Sequence, residues 1–83
     1  MKYELLTQAA LEVDLPKHGL YRGDVATVVE YYPRPRGQES GYSLEVFNAT
    51  GDTVAVVTVR ESQIAPLTAN ELLRVRALVP VPG

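Results

Sequence analysis

The chain contains a single histidine, His18, and histidine is the residue type most often used to move protons near neutral pH. It lies in the segment Leu15-Pro16-Lys17-His18-Gly19-Leu20, where a proline and a glycine indicate a tight connection. A Ser-His-Asp triad would have to recruit Ser40, Ser43 or Ser62 without any supporting motif. We therefore assign His18 a structural role and predict no catalytic residue.

Three carboxylates, Glu12, Asp14 and Asp24, are the next candidates for acid–base work or for binding a hard cation. Their spacing favours neither, because Glu12 and Asp14 alternate as on the outward face of a strand and Asp24 stands where another strand begins. The chain has no Cys and one His, which excludes thiolate and multi-histidine metal sites. The sequence thus predicts no metal and no cofactor, and we expect the protein not to be an enzyme.

The most distinctive constellation combines tyrosine with arginine. These side chains supply stacking, amphipathic contact area and bidentate hydrogen bonds, a composition typical of binding hot spots. We predict one partner-binding surface made of Tyr21, Arg22, Tyr31, Tyr32, Arg34 and Arg36. The alternative is an ordinary strand end with one core tyrosine, one surface tyrosine and two solubilising arginines.

The charge distribution favours a protein over a nucleic acid as the partner. The formal net charge of the chain is -2, although residues 17–36 carry four basic side chains against two acidic ones. Strong sequence-blind binding to nucleic acid requires many Lys and Arg contacts to phosphates. Weak binding of RNA or single-stranded DNA through the same basic segment is the alternative hypothesis.

Short β-strands must position these residues. Residues 53–59 are a β-branched run that indicates a buried strand. Residues 42–47 alternate, with Tyr42, Leu44 and Val46 on one face, and residues 48–52 suit the loop of a hairpin between the two runs. Residues 23–32 predict a third strand, which Pro33 ends, and residues 33–41 predict an exposed loop.

The two ends of the chain are ambiguous. Apolar residues between 5 and 15 fit both a helical stripe and a strand face. Residues 62–67 predict one turn followed by a short extended piece. The carboxy-terminal tail carries the apolar residues Leu72, Leu73, Val75 and Leu78 in an alternating pattern, yet it follows Thr68-Ala69-Asn70-Glu71, which has the spacing of a capping box. We expect the tail to pack back on the domain, with a second copy or another partner as the alternative occupant.

The segment Leu15-Pro16-Lys17-His18-Gly19-Leu20-Tyr21-Arg22-Gly23-Asp24-Val25-Ala26-Thr27-Val28-Val29-Glu30 resembles the signature of domain-of-unknown-function family 4926, a family of small bacterial, largely cyanobacterial proteins. The order of elements from residue 42 to residue 67 is similar as well. The resemblance implies an SH3-like barrel, similar to the KOW modules of translation proteins, in which residues about 7–14 form a strand. In such modules Arg22-Gly23-Asp24 would open an RNA-contacting segment, although a plain turn into a strand requires the same residues.

We therefore predict an all-β fold, a small SH3-like, partly open antiparallel barrel of about five strands. Residues 1–67 form the barrel domain and residues 68–83 form a carboxy-terminal extension that packs back or binds a partner. No apolar run is long enough for a membrane span and no signal peptide is recognisable, so we expect a cytoplasmic protein. We predict that the protein is a non-enzymatic interaction module, an accessory or antitoxin-like subunit that binds another protein. If it forms a homo-oligomer, we expect the contact to lie in the extension.

Overall fold

The computed structural model describes residues 2–68, 71–73 and 75–78, and it forms a single five-stranded antiparallel sheet. The strands are β1 (Gln8–Leu11), β2 (Val25–Tyr32), β3 (Gly41–Phe47), β4 (Thr53–Arg60) and β5 (Ile64–Pro66), with 3-10 turns at Pro16–His18 and Glu61–Gln63. The order across the sheet is β4-β3-β2-β1-β5. The predicted all-β fold of about five antiparallel strands is confirmed.

The connection between the two edge strands forces the sheet to curve. Strand β4 ends at Arg60 and β5 begins at Ile64, with only the second 3-10 turn between them. That turn spans about 8 Å at a rise of about 2 Å per residue, whereas the edges of a flat five-stranded sheet would lie about 19 Å apart. The sheet therefore curls into a barrel-like form that remains open between β4 and β5. The narrower SH3-like assignment stays a prediction.

The core lies on the inner face of this curved sheet. Its buried apolar residues are Tyr3, Ala9, Leu11, Leu20, Ala26, Val28, Tyr42, Leu44, Val46, Val57, Val59 and Ile64. Tyr3 and Leu20 lie outside the strands. The other core residues occupy alternate positions of the strands, because successive side chains of a strand point to opposite faces. The predicted inward face of residues 42–47 is confirmed.

Two buried tyrosines fix the amino terminus to the barrel. The hydroxyl of Tyr42 accepts hydrogen bonds from the backbone N–H groups of Lys2 (3.1 Å) and Tyr3 (3.2 Å) and donates to Glu61 at 3.4 Å. The Tyr3 ring stands edge-on to the Tyr42 ring, with centroids 5.3 Å apart, and its hydroxyl donates to the Ile64 carbonyl at 3.0 Å. Burial, with a further contribution from the Glu61 charge, raises the pKa of Tyr3. The Tyr3 phenol thus remains a neutral donor.

A β-bulge in β2 decides which tyrosine enters the core. Val28 lies opposite Leu44, but Glu30 lies opposite the adjacent Ser43, so Val29 is the extra residue. After this shift Tyr31 faces inward and packs 5.3 Å from the Tyr42 ring, while Tyr32 faces outward. One tyrosine against the core and one at the surface is the arrangement that the alternative interpretation of this constellation predicts.

Two sequence-based expectations about strands are wrong. Residues 53–59 are predicted to form a buried strand, but only the inward face of β4 is covered: Val57 and Val59 are buried, whereas Val56 on the outward face is 60% exposed. Strand β1 ends at Leu11, so Glu12 and Asp14 lie in the connection after the strand and not on its outward face. The stretch between residues 5 and 15, whose apolar pattern fits both a helix and a strand, contains strand β1 and not a helix.

The tail begins with a capping contact, after which the described residues form no helix. The Thr68 N–H donates to the Glu71 carboxylate at 2.8 Å, and the Glu71 N–H donates to the Thr68 carbonyl at 3.1 Å. Residues 71–73 and 75–78 form neither helix nor strand. The sequence Pro80-Val81-Pro82-Gly83 predicts a frayed end, and these residues lie outside the described ones.

Candidate interaction surfaces

Strand β2 divides the predicted Tyr/Arg surface into two. Tyr21 and Arg22 precede the strand, whereas Tyr32, Arg34 and Arg36 lie at or beyond its end. The eight residues of the strand extend over about 26 Å. We call the first region, together with Asp24 and the tail that carries Arg76, the tail-end surface. The region of Tyr32, Arg34 and Arg36 is the loop-end surface. The structure does not bring the six predicted residues together, and Tyr31 belongs to the core.

Side-chain carboxylates shape the turn that carries the tail-end surface. Asp24 accepts a hydrogen bond from the Tyr21 N–H at 2.8 Å, and Asp14 accepts one from the Arg22 N–H at 2.9 Å. Gly23 has a φ of 94°, in the left-handed region that favours glycine. The sequence Arg22-Gly23-Asp24 is thus used here as a turn into β2, and both carboxylates have a structural task.

Arg76 of the tail binds this turn through a set of contacts that we call the Arg76 clamp. Its Nε donates to Asp24 Oδ1 at 2.8 Å, and its Nη2 donates to Asp24 Oδ2 and to the Gly19 carbonyl, the latter at 3.2 Å. The guanidinium also lies 5.3 Å from the centroid of the Tyr21 ring, within the range of a cation–π interaction. A forked, two-bond contact of this kind is specific to arginine.

The electrostatics of Asp24 follow from this clamp. Burial alone would raise the pKa of Asp24, but the hydrogen bonds from Arg76 and the Tyr21 N–H, with the Arg76 charge, hold that pKa below its ordinary value. The same contact raises the pKa of Arg76. The pair is therefore ionised at neutral pH. Sequence reasoning missed this pair, because its two residues lie far apart in the chain and no local pattern connects them.

The clamp holds a tail whose apolar side chains face solvent. Leu72 is 91% exposed, Leu73 65%, Leu78 51%, and Val75 is fully exposed. The tail thus contacts the barrel through a charged side chain, whereas these four apolar side chains, which flank Arg76 in the sequence, are half-exposed to fully exposed. The expectation that the extension packs back or binds a partner stays a prediction.

The loop-end surface is built differently. The Tyr32 hydroxyl lies 2.9 Å from the hydroxyl of buried Ser43, which in turn lies 3.3 Å from that of Thr58. Tyr32 is thereby fixed across β2, β3 and β4, with 36% of its surface exposed. Arg34 and Arg36 lie in the exposed connection between β2 and β3. These arginines extend from the surface without an organised charged pair such as Arg76 and Asp24.

Glu39 ties the end of that connection to the turn before β5. Its carboxylate accepts a hydrogen bond from the Ser62 N–H at 2.8 Å. The hydrogen bonds from Ser62, with a smaller contribution from the Arg60 charge, hold the pKa of Glu39 below its ordinary value although the side chain is fully exposed. This hydrogen bond attaches the end of the loop that leads into β3, whereas Arg34 and Arg36 lie in the exposed part that follows β2.

Two further residues first considered for chemistry, His18 and Glu12, lie at the surface. His18 is exposed, and its backbone N–H closes the first 3-10 turn on the Leu15 carbonyl at 2.9 Å. Glu12 lies 3.7 Å from the Arg22 guanidinium, an exposed ion pair. Among the residues that the structure describes, no three His, Cys, Asp or Glu side chains come close enough to hold a metal ion. Those same residues form no helix of the length and apolarity needed to cross a membrane.

Comparison with known proteins gives one match. A family model described as a domain of unknown function, DUF4926, matches residues 5–66. No curated protein and no solved structure matches the chain. The matched range contains all five strands and the Tyr21–Asp24 turn, and it ends before Arg76 and the apolar tail.

Proposed function

We propose that this chain, which belongs to the DUF4926 family, is a non-enzymatic module that binds a protein partner through its tail-end surface. In this proposal it acts in the bacterial cytoplasm as an accessory or antitoxin-like subunit. The observation that supports the proposal is the Arg76 clamp, which attaches to the barrel a tail with four exposed apolar side chains, Leu72, Leu73, Val75 and Leu78.

The exposed apolar residues supply the driving force. Burying one leucine or valine side chain stabilises a complex by about 1.5–3 kcal/mol. Leu72 and Val75 are almost wholly accessible and Leu73 is 65% exposed, so most of that gain is still available for binding. The partner best suited to this surface is a protein with an apolar groove. Leu73 and Val75 are two positions apart and would enter such a groove from one face if the tail is extended when bound.

The clamp lowers the entropic cost of binding. An unattached tail would lose backbone and side-chain freedom when it docks, at about 1–2 kcal/mol per backbone residue. Arg76 already restrains the middle of the tail through Asp24, Gly19 and Tyr21. Binding therefore needs to order fewer residues, which is the usual advantage of preorganisation.

Affinity capture from a cell extract, with quantitative mass spectrometry, tests this function. Three baits are compared: wild type, Leu72→Ser/Leu73→Ser/Val75→Ser, and the loop-end control Arg34→Ala/Arg36→Ala. We expect a protein that wild type and the loop-end variant both retain and that the tail variant loses. Retention of the same proteins by all three baits, or loss only with the loop-end variant, would contradict the proposal.

Weak binding of RNA or single-stranded DNA is a second candidate, and it concerns the loop-end surface. Two exposed arginines follow a partly exposed tyrosine there, which suits phosphate contacts and base stacking. Fluorescence anisotropy of a labelled oligonucleotide at low salt measures it. Salt-sensitive binding that Arg34→Ala/Arg36→Ala abolishes would support this candidate, and the absence of binding at low salt would reject it.

A further inference from the structure

The free side of β4 offers unpaired backbone groups in the middle of the strand. The Glu61 N–H donates to the Ser40 carbonyl at 3.0 Å, next to the Gly41–Arg60 pair. In an antiparallel ladder hydrogen-bonded and non-hydrogen-bonded pairs alternate. Tyr42–Val59 and Leu44–Val57 are therefore hydrogen-bonded pairs, and the N–H and C=O groups of Val56 and Thr58 point away from β3.

Both ends of this edge already have partners. The Arg60 N–H donates to the Gln63 side chain at 2.8 Å, and the Asp52 N–H donates to the Asn48 side chain at 2.9 Å. No described residue pairs with the groups of Val56 and Thr58 between them. The open part of the edge is thus short and defined, and it does not extend into the loops.

The exposed side chains around these unpaired backbone groups are apolar. Val56 is 60% exposed, Phe47 44% and Val54 41%. The other sheet edge differs, because β5 has only three residues and ends at Pro66, which cannot donate a ladder hydrogen bond. An uncovered, valine-rich edge strand is a template for pairing with another strand.

We propose that β4 pairs with β4 of a second copy of this chain, antiparallel and about a two-fold axis at Val56. This register pairs the outward-pointing backbone of Val56 with itself and places Arg60 of each copy near Asp52 of the other. Charges of opposite sign meet at both ends, and the strand is its own complement. The assembly closes at two copies, because each chain has one such edge. The tail takes no part in it, so this dimer is independent of the partner surface.

Sedimentation velocity across a concentration series tests the dimer, with Val56→Lys as the disrupting change. A lysine on an edge strand opposes pairing, and Val56 is exposed enough to accept it without loss of fold. We expect wild type to dimerise and Val56→Lys to weaken the dimer at least tenfold. The matched control Val75→Lys, the same change in the tail, is expected to leave the dimer unchanged. A wild type that stays monomeric up to about 1 mM, or a dimer that only Val75→Lys disrupts, would overturn the proposal.

A charge exchange tests the register. Arg60→Glu and Asp52→Lys each place like charges together in their own homodimer, whereas a mixture of the two variants restores an opposite-charge pair at both ends. Native mass spectrometry should therefore show a heterodimer in the mixture and little homodimer of either variant. Equal amounts of homodimer and heterodimer would contradict this register. Circular dichroism of each variant confirms that it is folded.

Discussion

The tail-end and loop-end surfaces lie at opposite ends of strand β2, and both are rich in tyrosine and arginine, yet they are organised in different ways. At the tail end Arg76 forms a forked contact with Asp24 and lies over Tyr21. At the loop end the tyrosine hydroxyl bonds to Ser43, while the arginines extend into solvent. The same residue types therefore serve a preorganised clamp in one region and a loosely arranged charged loop in the other.

Removing the clamp should have the largest effect. Arg76→Ala deletes the bonds to Asp24 and Gly19 together, so the tail should become mobile. We expect the NMR order parameters of residues 75–78 to fall below about 0.6, while those of residues 34–36 stay unchanged. Arg76→Lys is the matched control, since it keeps the charge but lacks the fork, and an intermediate loss is expected. Unchanged order parameters in Arg76→Ala would show that the clamp does not hold the tail.

The loss of one tyrosine hydroxyl should affect stability differently at the loop-end and tail-end surfaces. Tyr32→Phe removes one of the two hydroxyl partners of buried Ser43, the other being Thr58, and should lower the free energy of unfolding by about 1 kcal/mol. Tyr21→Phe should change it by less than about 0.5 kcal/mol, because the ring and not the hydroxyl contacts Arg76. Urea denaturation measures both variants. Equal losses would mean that the two tyrosines are held in the same way.

The pH dependence of the clamp has a defined sign. The pKa of Asp24 is lower in the folded chain than its ordinary value of 3.8. The stability that Asp24 contributes is therefore complete above the unfolded pKa and is lost as the pH falls through the lower folded-state pKa. Wild type should be more stable than Asp24→Asn at neutral pH, and the difference should shrink as the pH falls below 3.8. A difference that is constant from pH 7 to pH 2 would contradict this account.

The smallest effect is expected at the loop end. Arg34→Ala/Arg36→Ala should change the free energy of unfolding by less than about 0.5 kcal/mol, because exposed side chains in a connection contribute little to stability. Urea denaturation beside Tyr32→Phe gives the comparison. A loss as large as that of Tyr32→Phe would show that these arginines have structural partners.

Local patterns predicted most of the fold but not the clamp. Alternation identified the hairpin of β3 and β4, and the β-branched run before Pro33 identified β2. The prediction that β4 is a buried strand was wrong, because a valine-rich run does not reveal whether one or both faces of the strand are covered. The pairing of Arg76 with Asp24 depends on where the tail returns, and Tyr3 and Tyr42 meet only after the sheet has curled. Such long-range contacts leave no local periodicity in the sequence.

The central claim is that the clamped tail end, and not the loop end, binds the partner. The most direct test is the affinity for the protein retained in the capture experiment, measured by isothermal titration calorimetry with Arg76→Ala and with Arg34→Ala/Arg36→Ala. We predict that Arg76→Ala weakens binding about tenfold, since the released tail must be ordered on docking, and that the loop-end variant binds within about twofold of wild type. Unchanged affinity for Arg76→Ala together with a large loss for the loop-end variant would contradict the account.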